Sequence, residues 1–271
     1  MSELADRVAR AQWYHTLELA PGLVTPGWLD HRTVVDRVPL PASLAGKRCL
    51  DVGTFNGFWA FEMERRGGEV VGIDVLDPRG WDWPYGSDAA AIAAIGERVT
   101  DGDGFEIAKA ALASSVQRLD MSVYDLAPDL VGTFDIVYVG SLLVHLREPI
   151  RALEAVRSVC TEALIVVDGI DLPLTLRHPR QPAARLDGRG RPWWWYPNLA
   201  GLARIVEVAG FDIMAPVRRL FVPKGAGWHI RRTNPKLVAT REGRYRLTVG
   251  WVGDPHGIVV GRPRRPAVSG S

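Results

Sequence analysis

Two short stretches of the chain combine glycine and carboxylate residues at a spacing that suits nucleoside binding. The first, Cys49–Gly57, reads CLDVGTFNG, and the second, Val70–Asp74, reads VVGID. Gly53 and Gly57 allow the backbone to approach a ligand closely, and a carboxylate that ends a strand can accept hydrogen bonds from both hydroxyls of a ribose. The spacing therefore predicts a site for an adenosine-type cofactor, with Asp74 as the ribose anchor.

The spacing of these glycines distinguishes between two kinds of adenosine cofactor. A dinucleotide site needs the pattern G-x-G-x-x-G, whereas this chain has no third glycine at the required offset. A carboxylate beside the turn repels a diphosphate and attracts a ligand with a cationic amine and a sulfonium. We therefore predict S-adenosylmethionine and not NAD. The residues predicted to bind it here are Asp51, Gly53, Thr54, Phe55, Asn56, Gly57 and Asp74.

Strands and helices alternate around these residues. Apolar runs and helical periodicity predict strands at 48–53, 69–74, 116–119, 134–139 and 163–167, and helices at 57–66, 105–112 and 149–159. This alternation is typical of an α/β fold with a Rossmann-like, doubly wound sheet. Gly67 and Gly68 are the expected stop of the helix that follows the glycine turn.

A single α/β domain with additions fits a chain of 271 residues. We expect an N-terminal cap at 1–44, a catalytic domain at 45–261 and a flexible tail at 262–271. Long insertions are predicted at 77–104, 170–196 and 224–255, and the first is expected near the cofactor. The third contains a predicted hairpin, with strands at 236–240 and 245–249, and the final strand is expected at 257–260.

The composition excludes several kinds of protein. A formal net charge of +2 is too small to argue for nucleic-acid binding by itself. The two cysteines have no spacing that suggests a metal or redox pair. No window is apolar enough to span a membrane, and the first residues lack a signal pattern, so we expect a cytoplasmic location.

Four ordered segments resemble the motifs of class I S-adenosylmethionine-dependent methyltransferases: Leu50–Phe58, Gly72–Asp74, Phe134–Gly140 and Leu143–Pro149. The branch they resemble is that of the tRNA wobble-uridine-modifying methyltransferases, over residues 45 to 215. The resemblance implies a seven-stranded sheet whose last strand is antiparallel. It also implies that Ser122 and Val123 bind adenine and that the Gly140 carbonyl lies near the methionine ammonium. Phe55 departs from the family, because many members have a second glycine there.

Two histidines are the candidates for a catalytic base. Methyl transfer depends mainly on alignment, but a hydroxyl acceptor must lose a proton, which histidine accepts near neutral pH. His145 follows the fourth strand, and His256 precedes the last strand at the same edge of the sheet. His15 and His31 are expected at the surface of the cap. No metal is predicted, since no third oxygen ligand accompanies Asp168 and Asp171.

An arginine-rich segment followed by aromatic residues suggests what the acceptor looks like. Guanidinium groups recognise carboxylate or phosphate, and aromatic faces stack on planar rings. We predict methyl transfer to oxygen or nitrogen of a small metabolite, anionic or aromatic in character. Modification of tRNA is the first alternative, and a nicotinamide-dependent oxidoreductase is an alternative from another class. The segment comprises Arg177, His178, Arg180, Arg185, Arg189, Arg191, Trp193, Trp194, Trp195 and Tyr196.

Overall fold

A mixed sheet of eight strands forms the centre of the computed structural model, which describes residues 3–93, 103–228 and 241–264. The strands are β1 (Glu18–Ala20), β2 (Leu23–Val24), β3 (Arg48–Val52), β4 (Glu69–Asp74), β5 (Gln117–Asp120), β6 (Phe134–Gly140), β7 (Cys160–Gly169), β8 (Ala184–Leu186), β9 (Trp195–Pro197), β10 (Phe211–Ile213), β11 (Arg218–Val222) and β12 (Asp254–Pro263). The order of the strands across the sheet is β10-β12-β7-β6-β3-β4-β5, and β11 also pairs with β12. The pairs β1-β2 and β8-β9 form two small separate sheets.

The parallel part of the sheet confirms the predicted α/β fold. Strands β5, β4, β3, β6 and β7 run parallel, and β12 runs antiparallel to β7, as the resemblance implies. The apolar run Leu164–Val167 in β7 is completely buried, because helices cover both faces of a parallel sheet. The eighth strand, β11, is an addition to the expected seven and pairs with β12.

Eight helices with named bounds surround the sheet within the described residues. The helix after the glycine turn ends as predicted, because Gly67 adopts a φ of 93° and its N–H donates to the Glu64 carbonyl at 2.8 Å. The helices are α1 (Glu3–Arg10), α2 (Phe58–Arg65), α3 (Gly104–Ala111), α4 (Pro128–Val131), α5 (Pro149–Val159), α6 (Leu172–Arg177), α7 (Leu199–Val208) and α8 (Arg241–Val252).

Apolar side chains form one packed layer on each face of the sheet. On one face the cap and α2 pack together, and Trp59 stacks on the ring of Tyr138 with 4.6 Å between ring centroids. On the other face α5 and α7 cover the strands with residues such as Leu153 and Leu202, both fully buried. The cap is therefore part of the core and holds a fixed position over the sheet.

The C-terminal part of the chain corrects two predictions. Residues 245–249, predicted as a strand, lie in α8, while the predicted partner strand 236–240 lies outside the described residues. Alternating Tyr, Leu and Val residues satisfy a strand pattern, but a helix is formed there. The predicted start of the C-terminal tail at residue 262 is also too early, because β12 continues to Pro263 and pairs with β10.

Candidate functional site

The glycine turn, residues 53–57, connects β3 to α2 at the carboxyl edge of the sheet. Gly53, Phe55 and Gly57 have positive φ values of 76°, 44° and 86°. Glycine adopts such values without strain, whereas other residues rarely do. A Cβ at Gly57 would lie 2.5 Å from the Phe61 ring, so only glycine fits. Phe55, the family departure, occupies the left-handed region with a full side chain.

The buried carboxylate of Asp51 is hydrogen-bonded to this turn. Its Oδ2 accepts hydrogen bonds from the Thr54 hydroxyl at 2.8 Å and from the Ala60 N–H at 3.1 Å. Burial raises the pKa of the Asp51 carboxyl to about 7. These two hydrogen bonds of the carboxylate lie within the glycine turn and the first turn of α2, where they fix the geometry of the backbone.

Asp74 ends β4 beside the same turn. Its Oδ2 accepts the Phe55 N–H at 2.8 Å, and its Oδ1 accepts the Val75 N–H at 2.9 Å. Burial raises the pKa of the Asp74 carboxyl to about 6, although the Phe55 and Val75 bonds oppose that rise. Each carboxylate oxygen has a second lone pair that can accept a ribose hydroxyl.

An open pocket lies over Asp74 and the turn. One wall contains the ion pair of Arg118 with Asp103, and Arg118 also lies 4.5 Å above the Phe105 ring. The carboxylate, the exposed turn backbone and an aromatic side chain suit the ribose and base of a nucleoside. We call this the turn pocket; it is lined by Gln12, Phe55, Asn56, Asp74, Val75, Leu76, Trp81, Asp103, Gly104 and Arg118.

Three predicted cofactor residues, Phe55, Asn56 and Asp74, line the turn pocket, and the others are not part of its lining. Asp51, Gly53, Thr54 and Gly57 form the base of the turn. Ser122 follows β5, and its hydroxyl accepts the Tyr124 N–H at 3.3 Å. Val123, at the start of that short helical turn, is buried, and Gly140 ends β6, which pairs with β3.

Other pocket residues were not predicted from the sequence. Gln12, Trp81, Asp103, Gly104 and Arg118 are far apart in the chain, and only the Asp/Gly cluster at 101–104 gave a local signal. Asp103 begins α3 and accepts the Phe105 N–H at 3.0 Å, as such a residue does at a helix start. Trp81 belongs to the insertion that was expected near the cofactor.

Asn56 connects the cap to the glycine turn. Its side-chain oxygen accepts the Tyr14 N–H at 2.7 Å and the His15 N–H at 3.4 Å. Its amide nitrogen donates to the Gln12 carbonyl at 3.2 Å. The side chain predicted to bind cofactor is thus occupied by the backbone of residues 12–15, and its buried position keeps these bonds away from water.

Asp82, in the first insertion, joins three separate segments. Its carboxylate accepts the Tyr124 hydroxyl at 2.6 Å and the Arg147 N–H at 2.7 Å. Its backbone carbonyl accepts the Trp194 indole N–H at 2.7 Å. The insertion and the arginine-rich segment are consequently fixed to one another beside the carboxyl edge of the sheet.

His145 lies in a short helical turn after β6. Its Nδ1 is 2.8 Å from the Pro192 carbonyl, so this nitrogen donates, and Nε2 is the nitrogen that can accept a proton. The ring contacts Trp193 edge-on, with 6.0 Å between centroids. Burial lowers the pKa of His145, which keeps the imidazole neutral at physiological pH.

His256 is 3% exposed and cannot contact an acceptor directly. Its Nε2 lies 2.9 Å from the Ser141 hydroxyl, and its Nδ1 lies 3.0 Å from the Asp254 carbonyl. The start of β12 lies at the carboxyl edge of the sheet, where His256 pairs with Gly169 at the end of β7. Ser141 follows β6 at the same edge and is half-buried.

The cap histidines are buried, contrary to the surface position expected for them. His15 and His31 are 6% and 2% exposed, and their ring centroids are 5.3 Å apart. Burial lowers the pKa of His15 to about 3 and that of His31 well below its usual value. Isolated histidines in irregular segments are more often exposed, but here Phe58 packs against both rings.

No group of three or more metal-binding side chains occurs within residues 3–93, 103–228 and 241–264. Across these ranges, no helix has both the length and the apolar character needed to cross a membrane.

Comparison with known proteins identifies the family. A family model for the methyltransferase domain matches residues 30–215. The ubiquinone biosynthesis O-methyltransferase of Dechloromonas aromatica is 31% identical over 124 residues, 45% of this chain and 43% of that protein. The Acinetobacter baumannii enzyme of the same description is 27% identical over 128 residues, 47% of this chain and 42% of that protein. The chain thus spans less than half the length of these curated relatives.

Two solved structures share the fold. The N-terminal domain of EvdMO1 with bound SAH covers 97% of this chain and 98% of its own, with 18% identity and a TM-score of 0.52. A chain from the complex of the Haloferax volcanii Trm112 methyltransferase activator with a methyltransferase covers 87% and 89%, with 13% identity and a TM-score of 0.53. The family match favours a methyltransferase domain over a nicotinamide-dependent oxidoreductase. The chain belongs to the methyltransferase domain family.

Proposed function

We propose that the turn pocket holds the nucleoside of S-adenosylmethionine and that Asp74 binds both ribose hydroxyls. The observation that carries this proposal is the position of the Asp74 carboxylate, which lines an open pocket while it accepts the Phe55 N–H of the glycine turn. A carboxylate with free lone pairs at the end of the second strand is suited to a diol. S-adenosylmethionine supplies an electrophilic methyl group, and the chain positions it.

The remaining predicted residues either contact the cofactor or support the glycine turn in this proposal. Gly53 and Gly57 give the ligand access to the backbone, while Asp51, Thr54 and Asn56 hold the turn in shape through their hydrogen bonds. Ser122 and Val123 border adenine, and the Gly140 carbonyl faces the methionine ammonium. A Cβ at Gly140 would lie 2.5 Å from the Tyr138 ring, so that position requires glycine.

We propose that the methyl acceptor is a small metabolite, with oxygen preferred over nitrogen as the methylated atom. The curated relatives are O-methyltransferases by description, although they match only part of their length. His145 offers an unprotonated Nε2 at the edge where the acceptor must enter. In this proposal His145 contacts and aligns the acceptor, and His256 acts on it through Ser141.

The arginine-rich segment contributes less to acceptor binding than its sequence suggests. Arg185 pairs with Asp171 at 3.1 Å and covers the Tyr196 ring, and Arg191 pairs with Asp187 at 3.0 Å. These guanidinium groups already have partners, so an acidic acceptor would need to displace them. This arrangement favours an aromatic acceptor over an anionic one. A tRNA acceptor would require a clustered basic surface, and a net charge of +2 gives it little support.

Thermal melting followed by methyl transfer tests this function. S-adenosylhomocysteine should raise the melting temperature of the protein and NADH should not, because only a ligand of the native state stabilises it. Labelled S-adenosylmethionine is then supplied with a panel of phenols, a metabolite extract and bulk tRNA. Label in the small-molecule fraction is expected. Absence of stabilisation by S-adenosylhomocysteine would contradict the cofactor site, and label only in tRNA would contradict the acceptor class.

A further inference from the structure

Ser141 and His256 form a hydrogen-bonded pair whose direction can be assigned. The His256 Nδ1 faces the Asp254 carbonyl, which can only accept, so Nδ1 carries the hydrogen. Nε2 is then the unprotonated nitrogen, and the Ser141 hydroxyl donates to it at 2.9 Å. The two lone pairs of the Ser141 oxygen remain for other donors.

Ser141 lies beside the glycine turn. Val139 pairs with Val52, which places the residues after β6 next to those after β3. Leu142 also approaches to 3.1 Å of the position that a Cβ at Gly53 would occupy. Ser141 itself is half-buried, in contrast to the enclosed His256. The hydroxyl is thus the accessible end of the pair and lies close to the proposed methyl donor.

The position of Ser141 is tightly fixed. Its φ of 51° is unusual for a residue other than glycine, and its N–H donates to the Val167 carbonyl at 2.9 Å. The buried Asp168 carboxylate accepts the N–H groups of Leu142 and Leu143, both at 2.7 Å. A strained conformation held by buried bonds is typical of functional sites.

Tyr14 brings the cap to the same point. Its ring contacts that of Phe55 with 6.1 Å between centroids. Burial raises the pKa of Tyr14, so its hydroxyl stays protonated. The cap therefore packs directly against the glycine turn.

We propose that the acceptor is a hydroxyl compound whose O–H group donates to Ser141 and that Ser141 relays the proton to His256. This inference rests on the proposed function and specifies its substrate class. The acceptor oxygen forms its bond to the methyl carbon as the carbon–sulfur bond breaks, and that electron pair stays on sulfur. The acceptor proton moves to the Ser141 oxygen while the Ser141 proton moves to Nε2. His256 becomes an imidazolium and later releases the proton to solvent.

The charged groups around His256 are compatible with this step. Asp168 in β7 is paired with the adjacent Gly257, and its carboxylate attracts the imidazolium. His31 faces His256 from the cap, but burial lowers its pKa and keeps it neutral. On its own strand, Asp254 is bound to Lys224 at 3.1 Å. Among these groups Asp168 is the one that favours the imidazolium, and the imidazolium in turn opposes the rise that burial causes in the pKa of this carboxyl.

Nitrogen NMR of the full chain tests the pair without any acceptor. In ¹⁵N-histidine-labelled protein saturated with S-adenosylhomocysteine, His256 should show a protonated Nδ1 and an unprotonated, hydrogen-bonded Nε2. His256→Gln assigns the signal, and Ser141→Gly, which suits the positive φ, should shift Nε2 far more than Nδ1. A protonated Nε2 in the wild-type protein would overturn the relay.

Kinetics with the acceptor from the methyl-transfer screen tests the proton path. Ser141→Gly and Ser141→Ala should lower kcat by about 100-fold or more, the usual contribution of general acid–base catalysis, with KM and S-adenosylhomocysteine affinity changed less than about threefold. Ser158→Ala removes a hydroxyl on α5, far from the pair, and serves as the control. An unchanged kcat in the Ser141 variants, or a product methylated only on nitrogen, would refute the relay. Loss of cofactor binding in the wild type would instead refute the proposed function.

Discussion

Replacement of Asp74 gives the sharpest test of the cofactor site. Asp74→Ala removes the proposed acceptor of both ribose hydroxyls and leaves the N–H groups of Phe55 and Val75 without their carboxylate. A hydrogen bond to a charged group contributes about 1.5 to 3 kcal/mol. Loss of two such bonds, reduced by water that replaces them, should weaken S-adenosylhomocysteine binding by about 3 kcal/mol, or roughly 100-fold in Kd.

Asp74→Asn separates shape from charge. The amide keeps one acceptor oxygen at nearly the same place, so we expect a loss of roughly tenfold in affinity. Asp77→Asn is the matched control, because Asp77 is exposed and its partner is Arg79. Calorimetry with S-adenosylhomocysteine measures the affinities, and circular dichroism checks the fold. Equal affinity in the wild type and Asp74→Ala would refute the ribose assignment.

The pH dependence of binding provides a second readout for Asp74. Burial raises the pKa of this carboxyl to about 6 in the free protein. The ionised form accepts both hydroxyls, whereas the protonated form loses an acceptor, so ligand binding lowers the pKa. Affinity should be constant above about pH 7 and fall towards tenfold per pH unit below about pH 6. The Asp74→Asn variant should lose the part of this dependence that Asp74 causes.

Three further outcomes are expected. His145→Ala should lower turnover by about 100-fold with little change in cofactor affinity, and steady-state kinetics beside calorimetry would contradict a catalytic role if both fell together. Asn56→Ala leaves two backbone N–H groups of the cap without an acceptor and should reduce the free energy of unfolding by about 2 kcal/mol in urea denaturation; an unchanged midpoint would contradict the cap connection. The buried histidines His15 and His31 have pKa values below that of an unfolded histidine, so their contribution to stability is fully present above about pH 6.5. As the pH drops towards about 3, the free energy of unfolding should fall by up to roughly 1.4 kcal/mol per pH unit for each histidine. His15→Gln should reduce this slope, and an equal slope in the variant would refute the assignment.

The first β-α-β unit was predictable because each of its signals is local. Buried strands have continuous apolar runs, and the glycine stop at Gly67 follows directly from the backbone that the turn requires. The position of Asp74 was predictable in the same way, since it ends a strand whose neighbour is followed by the turn. Elements whose residue types fit two structures were less certain, as the helix formed by Tyr245–Val249 demonstrates.

Contacts between distant residues could not be read from the sequence. Asn56 was expected at the ligand because of its place in the turn, but its side chain meets residues that precede it by more than 40 positions. Ser141 had no motif of its own, and its hydrogen-bond partner His256 lies 115 residues later in the chain. Side-chain direction and long-range pairing decide such roles, and local patterns do not encode them.

The bond between Asn56 and the cap has a consequence for protein engineering. Chimeras that exchange the first 44 residues for those of a relative, made to change the acceptor preference, would also replace the backbone N–H groups to which the Asn56 side chain is hydrogen-bonded. Such grafts should disturb cofactor affinity even where Gln12, the one pocket residue in that segment, is kept. Libraries that vary residues 184–197 and leave 12–15 intact offer a route to new acceptors with the cofactor turn preserved.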